Sequence, residues 1–224
     1  MKVVFVGAAN PETIRESMAV QRVRTDFGIL GFIDNDPAKI GSDFYGYPIL
    51  GGLDVVPELI AEDVRFVNLI TGNLETRFYV TRDLIRMGAH LTNFIHPNVD
   101  LTMVSVGIGN YIQESVILQA EVLVGDNSSI HMGALIGHES RIGNSVFIAH
   151  AVSVSGCCDI GDGCFVGTNA TILPRLRIGK WSTIGAGAVV TKDIPDYSVV
   201  VGNPGKAIRM NRKTFAHGDV FNEE

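Results

Sequence analysis

Little of this chain is aromatic or charged: it has one Trp, and Asp, Glu, Lys and Arg make up only 19% of its 224 residues. Positive charge is the scarcer sign, with 18 Lys and Arg against 24 Asp and Glu, a formal net charge of −6. Affinity for phosphate backbones comes from clustered Lys and Arg, so the balance argues against nucleic acid as a partner. No apolar run approaches the ~18 residues of a spanning helix, and the apolar start at 3–6 is too short for a secretory signal. A cytoplasmic protein without membrane insertion is predicted. The three cysteines, Cys157, Cys158 and Cys164, are odd in number and crowded together, which does not suit a disulfide framework. No His or Cys stands at zinc-ligand spacing from them, so they read as small buried residues and no metal is predicted. The G-x-G-x-x-G phosphate fingerprint is also missing.

What the chain does have is apolar residues at 46% and 25 glycines, enough for a real core interrupted by many turns. A repeat organises them. Every sixth residue from Val106 to Val190 is Val, Ile or Leu, fifteen in succession, and Gly follows in eight of the fifteen hexads. Four residues after each aliphatic the side chain is often small, as at Ser128, Ala134, Cys158, Cys164 and Ala170. A period of six fits neither a helix nor a long alternating strand. It fits short strands separated by corners, with one aliphatic pointing inward per flat face and glycine easing the turn. Three hexads close a triangular coil of 18 residues, and five coils at ~4.8 Å make a prism roughly 24 Å tall. Val116, Val146 and Val152 are expected on its outer faces, where they would call for a partner.

Residues 1–95 lack this period. Strands are expected at 3–6, 29–33, 65–70 and 90–95, with a helix between Asn73 as N-cap and Gly88 as C-terminal stop. Strands alternating with helices predict a small Rossmann-like parallel sheet. Ligands of such sheets sit beyond the carboxyl ends of the strands, which directs Ala9, Asn10, Pro11, Asp34, Asn35 and Gly72 at one crevice. The predicted organisation is an α/β domain at 1–95, a β-helix at 96–212 and a tail at 213–224.

Three further motifs accompany the hexads: Gly31-Phe32-Ile33-Asp34-Asn35, Ile136-Gly137-His138-Glu139, and the ending Ile194-Pro195-Asp196-Tyr197-Ser198-Val199-Val200-Val201-Gly202-Asn203-Pro204. With them the chain resembles the bacterial sugar O-/N-acyltransferases, of the sialic-acid O-acetyltransferase and nucleotide-amino-sugar N-acetyltransferase type, within the hexapeptide-repeat superfamily. The resemblance implies a left-handed parallel β-helix, a homotrimer, acetyl-CoA as co-substrate and a nucleotide-linked deoxyamino sugar as acceptor. It assigns the general base to His138 and its partner to Glu139, and the acetyl-CoA groove to Phe147, Thr168 and Ala186. His150 lies 18 residues before Thr168, in the same column, as a rival base or cofactor contact. Adjacent residues on a straight strand face opposite sides, so contact between His138 and Glu139 requires a corner.

The chain departs from the family pattern in two places. Phe147 stands where His is usual, and Ala8-Ala9-Asn10-Pro11-Glu12 replaces the usual Gly-x-Gly-His-Gly loop. Sugar O-acetylation is the near alternative. A metal enzyme resembling the γ-carbonic anhydrases, using His131, His138 and His150, and a non-catalytic scaffold are the alternatives of another class.

Overall fold

The computed structural model describes residues 1–211; the expected tail at 213–224 lies outside them. The first half opens with β1 (Lys2–Val6), α1 (Glu12–Val23), β2 (Gly28–Ile33) and the hairpin β3 (Asp43–Phe44) and β4 (Tyr47–Gly51). It continues with α2 (Val56–Ala61), β5 (Arg65–Asn68), α3 (Leu74–Arg86) and β6 (His90–Leu91). The sheet order is β3-β4-β2-β1-β5-β6, parallel except at the β3–β4 hairpin.

Period-2 alternation in β1 explains the layering. Val3 and Phe5 join the cluster under α1 with Ile14 and Val20, while Val4 and Val6 join Val56, Leu59 and Leu84 from α2 and α3. The sheet is thus covered on both faces, as parallel sheets require. Asn73 caps α3 by accepting the Thr76 N–H at 3.0 Å, as its sequence predicts.

Two expected strands are shorter than foreseen. β5 ends at Asn68 because its side-chain oxygen accepts the Ile70 N–H at 2.9 Å and turns the chain. The continuous strand expected at 90–95 is split into β6 and β7 (Phe94–Ile95). Asn93 is the reason: it donates to the Gly107 carbonyl at 2.7 Å and accepts the Asn110 N–H at 2.9 Å, which carries the chain off the first sheet. β7 pairs instead with β9 (Tyr111–Ile112), as the first strand of the second half.

From there fifteen two-residue strands run from β8 (Ser105–Val106) to β22 (Val189–Val190), each ending on one of the fifteen aliphatics. They stack in parallel at intervals of 18 residues into three sheets, a parallel β-helix. β23 (Ser198–Val201) and the antiparallel β24 (Lys206–Met210) finish the longest sheet. The inward aliphatics are buried, Ile112, Ile130, Ile148 and Ile160 completely.

Val116, Val146 and Val152 are not on outer faces. They are 3%, 0% and 1% exposed and belong to the prism core. The position four after each aliphatic turns its side chain into the corner of the triangle, and there it fills the space between two sheets. Outward-facing apolar residues on the strands include Ile117, 55% exposed, and the half-buried Leu135 and Val189, all on one sheet.

A buried polar seam joins the halves. Arg77 on α3 is fully buried and donates to the carbonyls of Asn68 and Gly109 at 2.6 and 3.2 Å and of Asn127 at 3.0 Å. Beside it Asn68 donates to Thr81 Oγ1, which donates to Asn127 Oδ1, both at 2.8 Å.

Candidate active site

Each corner of the prism follows a strand, so a residue's place in the hexad fixes the edge it occupies. His138 and Glu139 follow β13 (Leu135–Ile136), and one coil further Gly156 and Cys157 follow β16 (Ser153–Val154). Glu139 adopts φ +58°, the left-handed corner conformation, which brings neighbouring side chains to one side of the backbone. The corner required for contact is therefore present. His138 Nδ1 and Glu139 Oε2 are 2.9 Å apart, on side chains more than half exposed. His138 is tethered at its backbone too: its N–H donates to Gln119 Oε1 at 2.9 Å and its carbonyl accepts the Cys157 N–H at 2.8 Å.

The carboxylate accepts at Nδ1, so the proton belongs there and Nε2 carries the free lone pair. That nitrogen lies over Gly156, where a Cβ would fall 2.6 Å from it. The hydrogen bond from His138 and, second to it, the Cys157 thiol hold the Glu139 carboxyl below its usual range. Cys157 is the cysteine that the burial expectation misplaced. Cys158 and Cys164 are buried, but Cys157 is half-exposed, with Sγ 3.7 Å from Glu139 Oε2. A signal for Gly156 and Cys157 was available in the 18-residue interval from His138 and Glu139.

The residues assigned to the cofactor occupy a different edge. His150, Thr168 and Ala186 are exposed and stack at 18-residue intervals after β15 (Phe147–Ile148), β18 (Phe165–Val166) and β21 (Thr183–Ile184). Among the described residues, the N–H groups of Gly156, Thr168 and Ala186 donate to no protein acceptor. At the equivalent position Asp126, Asn144 and Lys180 are each capped by an Asn or Asp from the next coil. Phe147 is 8% exposed, stacked on Phe165 at 5.0 Å and 4.5 Å from the His131 ring, so within one chain it is packed rather than open. His131 is buried and neutral, its pKa pushed down to about 3 by burial and then by His150. His131 and His150 share this edge while His138 sits on the other, so within one chain the three histidines do not converge.

The crevice of the first half is a cavity of about 290 Å³ lined by Ala9, Asn10, Asp34, Asn35, Gly72 and Thr76 over a floor of Ile33, Leu69 and Val80. Pro11 is not in its lining; it stands at the start of α1. Most of the polar rim is already engaged. Asp34 accepts the N–H groups of Ala8 and Asp36 at 3.0 Å and pairs with Lys39 at 2.8 Å. Burial would raise its pKa, but these partners, Lys39 first, outweigh that and hold it low. Asn35 Oδ1 accepts from Leu53, and Asn10 Oδ1 from Glu12.

The described residues thus combine a β-helix prism bearing an exposed His–Glu corner with a covered parallel sheet bearing a crevice. The family described as bacterial transferase hexapeptide (six repeats) matches residues 158–192. The chain has the fold of bacterial sugar acyltransferases. It superposes with a TM-score of 0.82 and 27% identity on PerB from Caulobacter crescentus, solved with CoA and GDP-perosamine, over 92% of this chain and 97% of that one. The acetyltransferase domain of PglB from Neisseria gonorrhoeae, solved with acetyl coenzyme A, matches at 0.80 and 26% identity over 92% and 98%. Serine acetyltransferase 2 of Arabidopsis thaliana is 41% identical over 86 residues, 35% of this chain and 27% of that protein. The chain spans less than half the length of the curated relatives it matches. Among the described residues no helix is long and apolar enough to cross a membrane.

Proposed function

We propose that the protein is an acetyl-CoA-dependent N-acetyltransferase acting on the amino group of a nucleotide-linked deoxyamino sugar. The observation that carries this reading is the His138–Glu139 pair, with Nε2 lying over Gly156, whose N–H is unpaired among the described residues. The sugar amine attacks the thioester carbonyl carbon, forming the C–N bond, and its proton passes to His138 Nε2. Glu139 stabilises the imidazolium that results. The N–H of Gly156 supports the oxyanion, and collapse breaks the C–S bond, with the proton returning to the departing thiolate. No covalent acyl-enzyme is needed.

The unpaired N–H groups of Thr168 and Ala186 suit the pantetheine amides, and the first-half cavity suits the sugar nucleotide. In one chain the His138 edge and the Thr168 edge are separated by the sheet bearing Ile117, Leu135 and Val189. In a homotrimer that sheet packs against a neighbour, and the two edges meet across the interface as one site.

The test is release of CoA thiol from acetyl-CoA in the presence of GDP-perosamine and of UDP- and dTDP-linked amino sugars. At least one acceptor is expected to react, with an N-acetylated product. His138→Ala is expected to lower kcat by about 10²–10⁴-fold, the usual contribution of a positioned base, with acetyl-CoA KM unchanged. His150→Ala is expected to act on the acetyl-CoA KM instead. Silence across the panel, or an exchange of behaviour between the two variants, overturns the assignment. Acetylation of a hydroxyl sugar alone would favour the O-acetyltransferase reading.

A further inference from the structure

Cys157 takes no part in the reaction proposed above, yet the repeat places it within that site. Glu139 and Cys157 are 18 residues apart on the same column of left-handed corners, at φ +58° and +61°. One coil separates them, ~4.8 Å along the prism. The Cys157 N–H to His138 carbonyl bond, 2.8 Å, pins the two corners together. As a result a ring nitrogen of His138, a Glu139 carboxylate oxygen and Cys157 Sγ lie within 4.8 Å of one another, with Nδ1 the nitrogen that faces Glu139 Oε2.

We propose that these three side chains form a binding site for a zinc-class divalent cation. The donor set is one imidazole nitrogen, one carboxylate oxygen and one thiolate sulfur, which suits zinc or cobalt and does not suit magnesium or calcium. Metal–donor distances of ~2.0–2.3 Å in a tetrahedron require donors roughly 3.3–3.7 Å apart. Glu139 Oε2 and Cys157 Sγ are already 3.7 Å apart, and the 2.9 Å His138–Glu139 contact has only to open slightly on two exposed side chains. Water completes the coordination. Binding removes the Nδ1 proton and the Cys157 thiol proton, both released to solvent.

The site is one for an inhibitor rather than a cofactor. A cation on Nδ1 displaces Glu139 from its supporting role and sets positive charge beside Nε2, which lowers the basicity of that nitrogen. This consequence rests on the acetyltransferase reading; the binding itself does not.

The test titrates chelator-treated, phosphine-reduced full-length protein with Co(II), following the near-ultraviolet absorption of a cobalt–thiolate bond, and then displaces the cobalt with Zn(II). A saturable band at one cobalt per chain is expected in the wild type. Cys157→Ser is expected to abolish it, with Cys158 and Cys164 still present and the melting temperature unchanged. Glu139→Gln is expected to weaken cobalt affinity by roughly tenfold or more, at least what loss of a supporting partner costs at metal sites. No band in the wild type, or the same band in Cys157→Ser, overturns the proposal. Inhibition by zinc that is relieved in Cys157→Ser ties the site to turnover. Cobalt binding to a protein that acetylates no acceptor retains the metal site and removes the enzyme reading, so the two fail separately.

Discussion

The two halves of the molecule dispose of their polar groups in opposite ways. In the first half Asp34, Asn35 and Asn10 are engaged by backbone N–H groups and Lys39, so the rim of the crevice is largely locked to itself. In the prism some corner N–H groups are capped by side chains, as at Asp126, Asn144 and Lys180, but among the described residues those of Gly156, Thr168 and Ala186 are not. One region presents a shaped cavity with a fixed rim, and the other presents unsatisfied donors on a rigid frame. On the proposed function, recognition by shape and chemistry by exposed groups would be divided between them.

The largest expected effect comes from cutting the link between the halves. Arg77 is fully buried, and burial pushes its pKa down to about 10, but its donors reach carbonyls on both sides of the seam. Arg77→Met preserves the stem and strands those carbonyls. Leaving a buried acceptor without its donor costs about 1–3 kcal/mol, and here several are stranded at once. Thermal unfolding is expected to split, with the first half melting well below a prism that barely shifts. A single transition at the wild-type temperature would show that Arg77 is not what couples the halves.

A smaller effect sharpens the same comparison through pH. Glu16 on α1 is buried against Tyr111 at the base of the prism, with Oε2 unpartnered, and burial raises its pKa from 4.5 to about 7. Between those values the folded state keeps a proton that the unfolded chain releases, so stability falls as pH rises through this window. Buried His131 has the opposite sign. Its pKa drops from 6.5 to about 3, so its cost appears as pH falls below 6.5. The two slopes offset each other from about 4.5 to 6.5. Glu16→Gln keeps an acceptor for the Glu114 N–H and removes one slope. Its unfolding free energy, measured by denaturant titration, is expected to climb with pH up to about 6.5 and then level, exceeding the wild type above pH 7 by on the order of 3 kcal/mol. Identical pH profiles for the two proteins would remove Glu16 from the account.

How far each half could be read in the sequence follows from the same contrast. In the prism a residue's number modulo six gives its orientation and modulo 18 its stack, so all fifteen strands were legible, whereas the His138–Glu139 pair came from the resemblance and its contact hung on a corner that the period alone did not predict. Val116, Val146 and Val152 were misread because that arithmetic was applied to the strands and not to the corners. The first half has no such ruler. Its hairpin at Asp43–Phe44 and Tyr47–Gly51 was missed, since Tyr45-Gly46 with φ of 52° and 83° is a local turn inside a segment without alternation. Arg77 was invisible for a further reason: its four carbonyl partners lie 7, 9, 32 and 50 residues away and carry no side-chain signature.

The smallest expected effect concerns Asp34, and it decides whether the locked rim matters to the ligand. Its carboxylate holds the Ala8 N–H and the Lys39 ammonium together at the mouth of the cavity, so it acts by keeping the loop in place. Asp34→Ala is expected to raise the KM for the nucleotide sugar about tenfold, equivalent to about 1.4 kcal/mol. The KM for acetyl-CoA is expected to stay within about twofold, because the edge bearing Thr168 and Ala186 shares no hydrogen bond with this loop. Asp34→Asn keeps an acceptor for one N–H and loses the ion pair, so it should fall between the two. If Asp34→Ala raised both KM values equally, the loop would be supporting the whole fold. If it raised neither, the sugar nucleotide would have to bind away from this crevice, and the division of labour between the halves would fall.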